Sequence, residues 1–553
     1  MISKKGLLLN LMALLIGLLL IGVLEGVLRI AGVQPYNQIS RMRILDGFML
    51  KARGDPDAPP GGVFQSPGAP VFSRRINEAG EDEYFSSRPS SGIMINTQRF
   101  SARKDPSVCR IFCFGGSTVW GCPYPDNSTT FARWMQEFLD EECAPNKFEV
   151  INAGVGGMDS FGIVELATEC LNYEPDIFVV LSGHNELHRV AYTTGWVPFK
   201  GSRTLHRLRR FLTRELRIYS ALARAVSDVV GEERGINRRV DHLLPNITLE
   251  KKRQREQVLR LEFGFNLQEI VEMTREAGVG LILGAPCPNF RDYLEEGWRF
   301  GSDVDQEQQF ALMADLFDAL SQMREGNLTS CSRKLRALTA KHQYSPAYFW
   351  LGRCFEKMGD FEHAKDEYAM ALETSRAGGR MTRGLREEMR EAAARNSIPF
   401  IDLLPRFASH SPNGIVGRSL ILDNCHLNVR GHQIVAKAIL ETGVASRLIA
   451  TDCRLDRFDD LMSQFTEDDL SWLPDSITND QLEDWPKPTE EITVGSYAAS
   501  IAEWLSDYLR EKDPSRSIDL LQRAAELAPG RKSISEKLAV LNQTPGTASS
   551  AAN

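Results

Sequence analysis

Arg110-Ile-Phe-Cys-Phe114-Gly115-Gly116-Ser117-Thr118-Val119-Trp120-Gly121 is the stretch on which the fold turns. Arg110 to Phe114 reads as a buried strand, the glycines force a tight turn, and helical sequence from Thr130 to Leu139 follows. In a parallel α/β sheet ligands gather at the carboxyl ends of the strands. The hydroxyl of Ser117 is therefore expected to face a cleft.

Outward from this point the rhythm repeats. Phe148 to Ala153 and Asp176 to Leu181 are short apolar runs, with a helical stretch from Ile163 to Leu171 between them. Gly280 to Ala285 and Ile398 to Leu403 add two more strands, each after a helical stretch. Strands alternating with helices imply an α/β fold, a parallel sheet with helices on both faces.

The full chain has 553 residues, enough for two to four folding units. Its formal net charge of -8 counts against nucleic acid as a partner, because the phosphate backbone selects basic surfaces. Lys4 and Lys5 lead into an apolar run from Gly6 to Leu24, broken only by Asn10. That length just spans a bilayer, and the exit Glu25-Gly-Val-Leu-Arg29 is a poor signal-peptidase site. Residues 1–32 therefore read as an uncleaved membrane anchor, with a cleaved signal peptide as the alternative. Arg29, Arg41 and Arg43 lie on the far flank, so charge counting leaves the orientation open. Ten cysteines contain no Cys-x-x-Cys pair, which argues against a zinc ribbon. An exported domain could pair some of them.

Residues 33–100 are rich in Pro, Gly, Ser and charge, and are expected to form an irregular stalk or lead-in. Residues 315–378 break the α/β rhythm. Leu351-Gly352, Phe355, then Gly359, Ala364, Tyr368 and Ala371 follow the offsets of a tetratricopeptide helix pair, which could bind a protein partner. A degenerate copy is expected within 497–545, after an acidic linker at 451–496. Residues 203–224 intersperse seven arginines with Leu205, Leu208, Phe211, Leu212 and Leu216. Such a pattern fits a solvated surface helix or one lying on an anionic membrane.

Serine acyl transfer needs a base, a carboxylate to orient the base, and donors for the oxyanion. Leu422-Asp423-Asn424-Cys425-His426 offers a carboxylate three residues from an imidazole, so one turn can join them and leave the other ring nitrogen for a nucleophile. Asn152-Ala-Gly154-Val-Gly156-Gly157 follows the second strand, and its glycines can aim a backbone N–H into the cleft. Ser182-Gly183-His184-Asn185-Glu186 follows the third, and the amide of Asn185 can donate. His184 and His188 are four apart, but Glu186 is one place late for a zincin helix, so no metal is expected.

Gly-Gly-Ser117, Gly157, Gly-His-Asn185 and Asp423-x-x-His426 resemble the four blocks of the SGNH hydrolases, the GDSL-type esterases. The resemblance implies a three-layer α/β/α sandwich of flavodoxin-like character. It assigns Ser117 as nucleophile, His426 as general base and Asp423 as its partner. The N–H groups of Ser117 and Gly157, with the Asn185 side chain, would form the oxyanion hole, and no cofactor is called for. The hydrolase domain would run over 101–314 and 379–450 around the helical insert. The family's usual Asp before the serine is Gly116 here, which alters the turn. Pro286-Cys-Pro-Asn289-Phe-Arg291-Asp292 resembles a loop of tetratricopeptide-bearing members, so Asn289 and Arg291 are expected against substrate, although Arg291 could equally salt-bridge. The expected function is a single-pass, extracytoplasmic serine esterase or deacylase acting on an O-acylated glycan or lipid. An O-acyltransferase with the same triad and a non-catalytic tetratricopeptide scaffold are the alternatives.

Overall fold

The computed structural model describes residues 4–33, 70–87, 93–124, 127–143, 147–187, 202–222, 248–294, 300–301, 303–376, 379–449, 454–463 and 493–543. Among the described residues the strands are β1 (Ser73–Ile76), β2 (Asp82–Ser86), β3 (Gln98–Ser101), β4 (Cys109–Gly115), β5 (Phe148–Gly154), β6 (Ile177–Leu181), β7 (Gly280–Ala285) and β8 (Phe400–Asp402). The last five form one parallel sheet in the order β5-β4-β6-β7-β8. Counted from β4, that is the flavodoxin-like order 2-1-3-4-5, whose switch point lies between the first and third strands.

Each strand feeds two cores, because side chains alternate across a sheet. Phe112 and Phe114 of β4 join Phe178 and Val180 of β6 on one face. There the helices Ser160–Cys170, Leu249–Ala277 and Arg383–Asn396 cover them with Ile163, Phe263, Leu267, Leu385 and Met389. Ile111 and Cys113 face the other way, under the helices Phe131–Glu142, Leu403–Ser409 and Val429–Ala445. Phe131, Trp134, Met135, Phe138 and Leu139 are buried at helical spacing, and Thr130 caps that helix by accepting from the Arg133 N–H. The result is a three-layer α/β/α sandwich.

The expected stalk ends well before residue 100. Residues 34–69 lie outside the described residues, but β1, β2 and β3 form an antiparallel sheet docked on the body. Val71, Phe72, Ile93, Ile95 and Phe100 are buried in the first core, and Glu169 accepts from the N–H groups of Val71 and Phe72. The apolar residues are too few and too scattered to show a period, yet they find a ready-made hydrophobic face. Arg110, fully buried, ties the lead-in to the sheet through Glu149 at 2.6 Å, the Tyr173 carbonyl at 2.6 Å and the Ser101 carbonyl at 2.8 Å.

The helical insert starts earlier than its apolar pattern indicates. Helices Gln306–Arg324, Leu328–Lys341, Ser345–Lys357 and Phe361–Thr374 follow in succession, the first begun by an Asp305–Gln308 capping box. The ring of Tyr368 packs on Gly352. Helices Val494–Leu509 and Pro514–Leu527 share the core of this block rather than forming a separate one. Most of the acidic segment lies outside the described residues, but Phe458 near its start packs on Phe138 at 5.2 Å.

At the amino terminus Lys4–Ile30 is one helix. Its segment Asn10–Ile30 has a mean hydropathy of 2.6 and is long and apolar enough to cross a membrane or to serve as a signal sequence.

Candidate active site

The switch point collects the sequence-derived residues. Ser117 stands at the start of a single helical turn, Ser117–Trp120, directly after β4. Asp423 and His426 occupy the loop before Val429–Ala445, a loop closed by a bridge between Ile421 and Leu427. His426 Nε2 lies 2.7 Å from Ser117 Oγ, and His426 Nδ1 lies 2.6 Å from Asp423 Oδ2. The other carboxylate oxygen of Asp423 accepts from the backbone N–H groups of Cys425 and His426 at 2.9 and 2.8 Å. All three side chains are buried, with residue exposures of 9% for Ser117 and 6% for Asp423 and His426.

The electrostatics follow from that burial. Desolvation works against an imidazolium at His426, but the Asp423 carboxylate overcomes it and holds the ring's pKa well above the ordinary histidine value. Desolvation likewise disfavours the Asp423 anion, and the charge and hydrogen bonds of His426 outweigh it, so the carboxyl sits below its usual range.

Donors converge on the same corner. Gly157 follows β5 with φ +75°, a left-handed conformation suited to glycine. Among the described residues its N–H and that of Ser117 donate to no other group. Asn185, after β6, donates one amide hydrogen to the Met158 carbonyl at 2.9 Å and keeps the second. Gly116 is explained by this amide: a Cβ there would overlap Asn185 Nδ2 and lie 3.1 Å from the Met158 oxygen. No residue with a Cβ could stand at 116 without moving Asn185.

Asn289 and Arg291, the two residues expected against substrate, both engage other parts of the chain, Arg291 in the salt bridges left open as its alternative. Asn289 donates to the carbonyls of Asp423 and Ile421 at 2.8 and 3.2 Å, and its own oxygen accepts from the Asp292 N–H at 2.9 Å. It clamps the loop that carries Asp423 and His426. Arg291 pairs with Glu356 of the helical block at 2.7 Å and with Asp292 at 3.4 Å. Asp292 also pairs with Arg353 of that block at 3.0 Å and accepts from the Arg418 N–H at 2.8 Å. The segment after β7 therefore joins the helical block to the triad loop.

Other contributors carry weak sequence signals. Met94 accepts from the Gly156 N–H at 2.9 Å, and Asn96 donates to the Trp120 carbonyl at 2.7 Å, so the lead-in braces two site loops. The apolar Ile93-Met-Ile95 was the available signal. Buried Glu186 accepts from Ser182 Oγ, Ser160 N–H and Ser160 Oγ at 2.8–3.0 Å, which fixes the Asn185 loop to the start of the helix Ser160–Cys170. His184 accepts at Nδ1 from the Met381 N–H at 3.1 Å, and burial with the nearby His426 lowers its pKa to about 3. The neutral ring then carries its hydrogen on Nε2. A cavity of about 20 Å³, lined by Gly116, Met158, Gly183, His184, Asn185 and Cys287 among others, adjoins this corner.

Asp423, Cys425 and His426 place potential ligand atoms within 4.8 Å of one another. They fit a metal poorly. His426 Nδ1 and Asp423 Oδ2 are engaged with each other, and burial pushes the Cys425 thiol up to about 12, away from a ligating thiolate. His188 lies outside the described residues.

No family model matches the chain, and no curated protein does. Among solved structures it is similar to an α/β hydrolase from the metagenome of Lake Arreo, Spain, at 12% identity, covering 60% of this chain and 94% of that one with a TM-score of 0.28. It is also similar to an acetylxylan esterase from Geobacillus stearothermophilus at 13% identity, 63% and 99% coverage and a TM-score of 0.28. A GDSL-like lipase from Bacteroides thetaiotaomicron matches at 10% identity, 62% and 90% coverage and a TM-score of 0.26. At these scores the fold assignment rests on strand order and layering, and not on the neighbours.

Proposed function

We propose that this chain is a serine hydrolase of the SGNH type that removes short O-acyl groups. The observation carrying the reading is the linear relay Asp423–His426–Ser117, with contacts of 2.6 and 2.7 Å formed across about three hundred residues of chain. Ser117 Oγ attacks the ester carbonyl while His426 Nε2 takes its proton, and Asp423 stabilises the resulting imidazolium. The oxyanion is received by the N–H groups of Ser117 and Gly157 and the free amide hydrogen of Asn185. Collapse expels the alcohol, which takes the proton from His426. Water, deprotonated by the same ring, then releases the acid and regenerates Ser117.

The cavity at this corner has room for about one water-sized group, which supports an acyl group of acetyl size over a fatty chain. The apolar amino-terminal helix supports membrane anchoring. Cys143 is disulfide-bonded, which supports an oxidising compartment for the catalytic body. The helical block, with Tyr368 seated on Gly352, supports a tetratricopeptide-like insert.

The test is turnover of nitrophenyl acetate, butyrate and octanoate by the native chain and by Ser117→Ala. Acetate is expected to react fastest, and the variant to lose turnover of all three. A variant as active as the native chain would reject the mechanism.

A further inference from the structure

The helix Arg203–Glu215 has two unlike sides. One packs on Leu249–Ala277, where buried His206 sits 3.8 Å from both Glu262 and Glu269, and Arg210 pairs with Glu269 at 2.7 Å. The other side exposes Thr204, Arg207, Leu208, Phe211 and Arg214. Positions 204, 207, 208 and 211 follow helical spacing, so they share one stripe, which continues to 214. Phe211 is 55% exposed and Leu208 44%. Arg207 pairs with Glu272 at 2.7 Å and Arg214 with Glu215 at 3.0 Å, yet their side chains stay 55% and 65% exposed. From 203 to 217 the sequence holds six arginines and one glutamate.

The carboxyl end of this helix is tied to the amino-terminal apolar helix. Arg29 donates to the Glu215 carbonyl at 2.6 Å, and the Glu25 carboxylate accepts from the N–H groups of Arg217 and Ile218 at 3.0 and 3.1 Å. Glu25 and Arg29 stand just past Leu24, where the apolar run meets its first charge. If that run fills the hydrocarbon core, these contacts lie at headgroup depth, and so does the end of Arg203–Glu215. Leu222, at the end of the helical segment 217–222, is also exposed.

We propose that the stripe Arg207–Leu208–Phe211–Arg214 rests on the headgroup layer of an anionic bilayer as a second attachment beside the anchor. Leu208 and Phe211 enter the acyl boundary, and the two guanidinium groups meet lipid phosphates. A single spanning helix lets the body swing about one point. A second contact fixes which side of the body faces the lipid. The inference rests on the anchor reading above, and it commits to lipid rather than protein because the stripe joins apolar and cationic groups beside the end of the apolar helix.

The experiment uses the full chain in nanodiscs of phosphatidylcholine with or without phosphatidylglycerol. Phe211→Cys, Leu18→Cys and Lys532→Cys are each labelled with an environment-sensitive fluorophore, with the native chain carried through labelling as background. Quenching by spin-labelled lipids is then read at each position. The proposal expects quenching at 211, severalfold stronger with the anionic lipid and lost in Arg207→Glu/Arg214→Glu, with none at 532. Quenching at 18 without quenching at 211 overturns the second attachment and leaves the anchor standing. Absence of quenching at 18 overturns the anchor and this inference with it.

Discussion

Replacing Gly116 by Ala tests the oxyanion pocket without touching a triad residue. Its φ of -84° and ψ of -153° suit any residue, so the backbone tolerates the change, and Gly→Ala at such a site usually adds about 0.4–1 kcal/mol of stability. The cost falls on one neighbour. The new Cβ overlaps Asn185 Nδ2 and lies 3.5 Å from its Cγ, while the Met158 carbonyl, 3.1 Å from the Cβ, blocks a shift along the existing hydrogen bond. The amide must swing away, and one donor of three leaves the oxyanion. Loss of one such donor costs about 10²–10³ in kcat, or roughly 2.7–4 kcal/mol. Steady-state kinetics on nitrophenyl acetate should show that fall in kcat with little change in KM and only a small shift in melting temperature, because the Gly→Ala gain offsets the lost Asn185–Met158 bond. Asn185→Ala should match it, and the double variant should lose little more, because both changes remove the same contact. A Gly116→Ala enzyme with native kcat, or single losses that multiply in the double variant, would refute the reasoning.

Other outcomes follow from the same contacts. Asp423→Asn should cut kcat by about 10⁴ by leaving His426 in the wrong tautomer. His426 must be neutral to act as base, and the Asp423 charge raises its pKa, so kcat/KM should climb with pH through a midpoint well above 6.5. Removing that charge should move the midpoint downward, readable in the pH profile. Asn289→Ala should strip the Asp423 and Ile421 carbonyls of their donor, at about 1–3 kcal/mol. A lower melting temperature and slower labelling of Ser117 by a fluorophosphonate would report it together. Arg110→Met leaves buried acceptors on Tyr173 and Ser101 unpaired beside Glu149, and should cost about 3–5 kcal/mol in urea unfolding with the triad geometry intact.

Local chemistry was legible where a residue's role is set by its own neighbours. The apolar runs ending at Phe114, Ala153 and Leu181 are strands because β-branched and aromatic residues fill both faces of a buried parallel sheet. Asp423 and His426 could be paired from spacing alone, since three residues of turn bring their side chains together. Strand order was not legible, because hydrogen-bond partners between parallel strands leave no mark on the spacing within either strand. The clamp made by Asn289 was hidden for a related reason: its partners Ile421 and Asp423 lie more than a hundred residues away, and an amide clamping a loop carries the same sequence signal as an amide awaiting a substrate. The lead-in hid its role in five apolar side chains, Val71, Phe72, Ile93, Ile95 and Phe100, which are buried only because a finished core receives them. The reason for Gly116 lies outside its own stretch of sequence, because the Asn185 amide occupies the space a Cβ there would need.

The central claim is that the hydroxyl of Ser117 is activated by His426. Intact-mass and peptide analysis after brief exposure to a fluorophosphonate measures this directly. One adduct is predicted, on the peptide containing Ser117, and its formation should collapse in His426→Ala while the fold persists. An adduct on another residue, or equal labelling of Ser117 without the imidazole, would contradict the account.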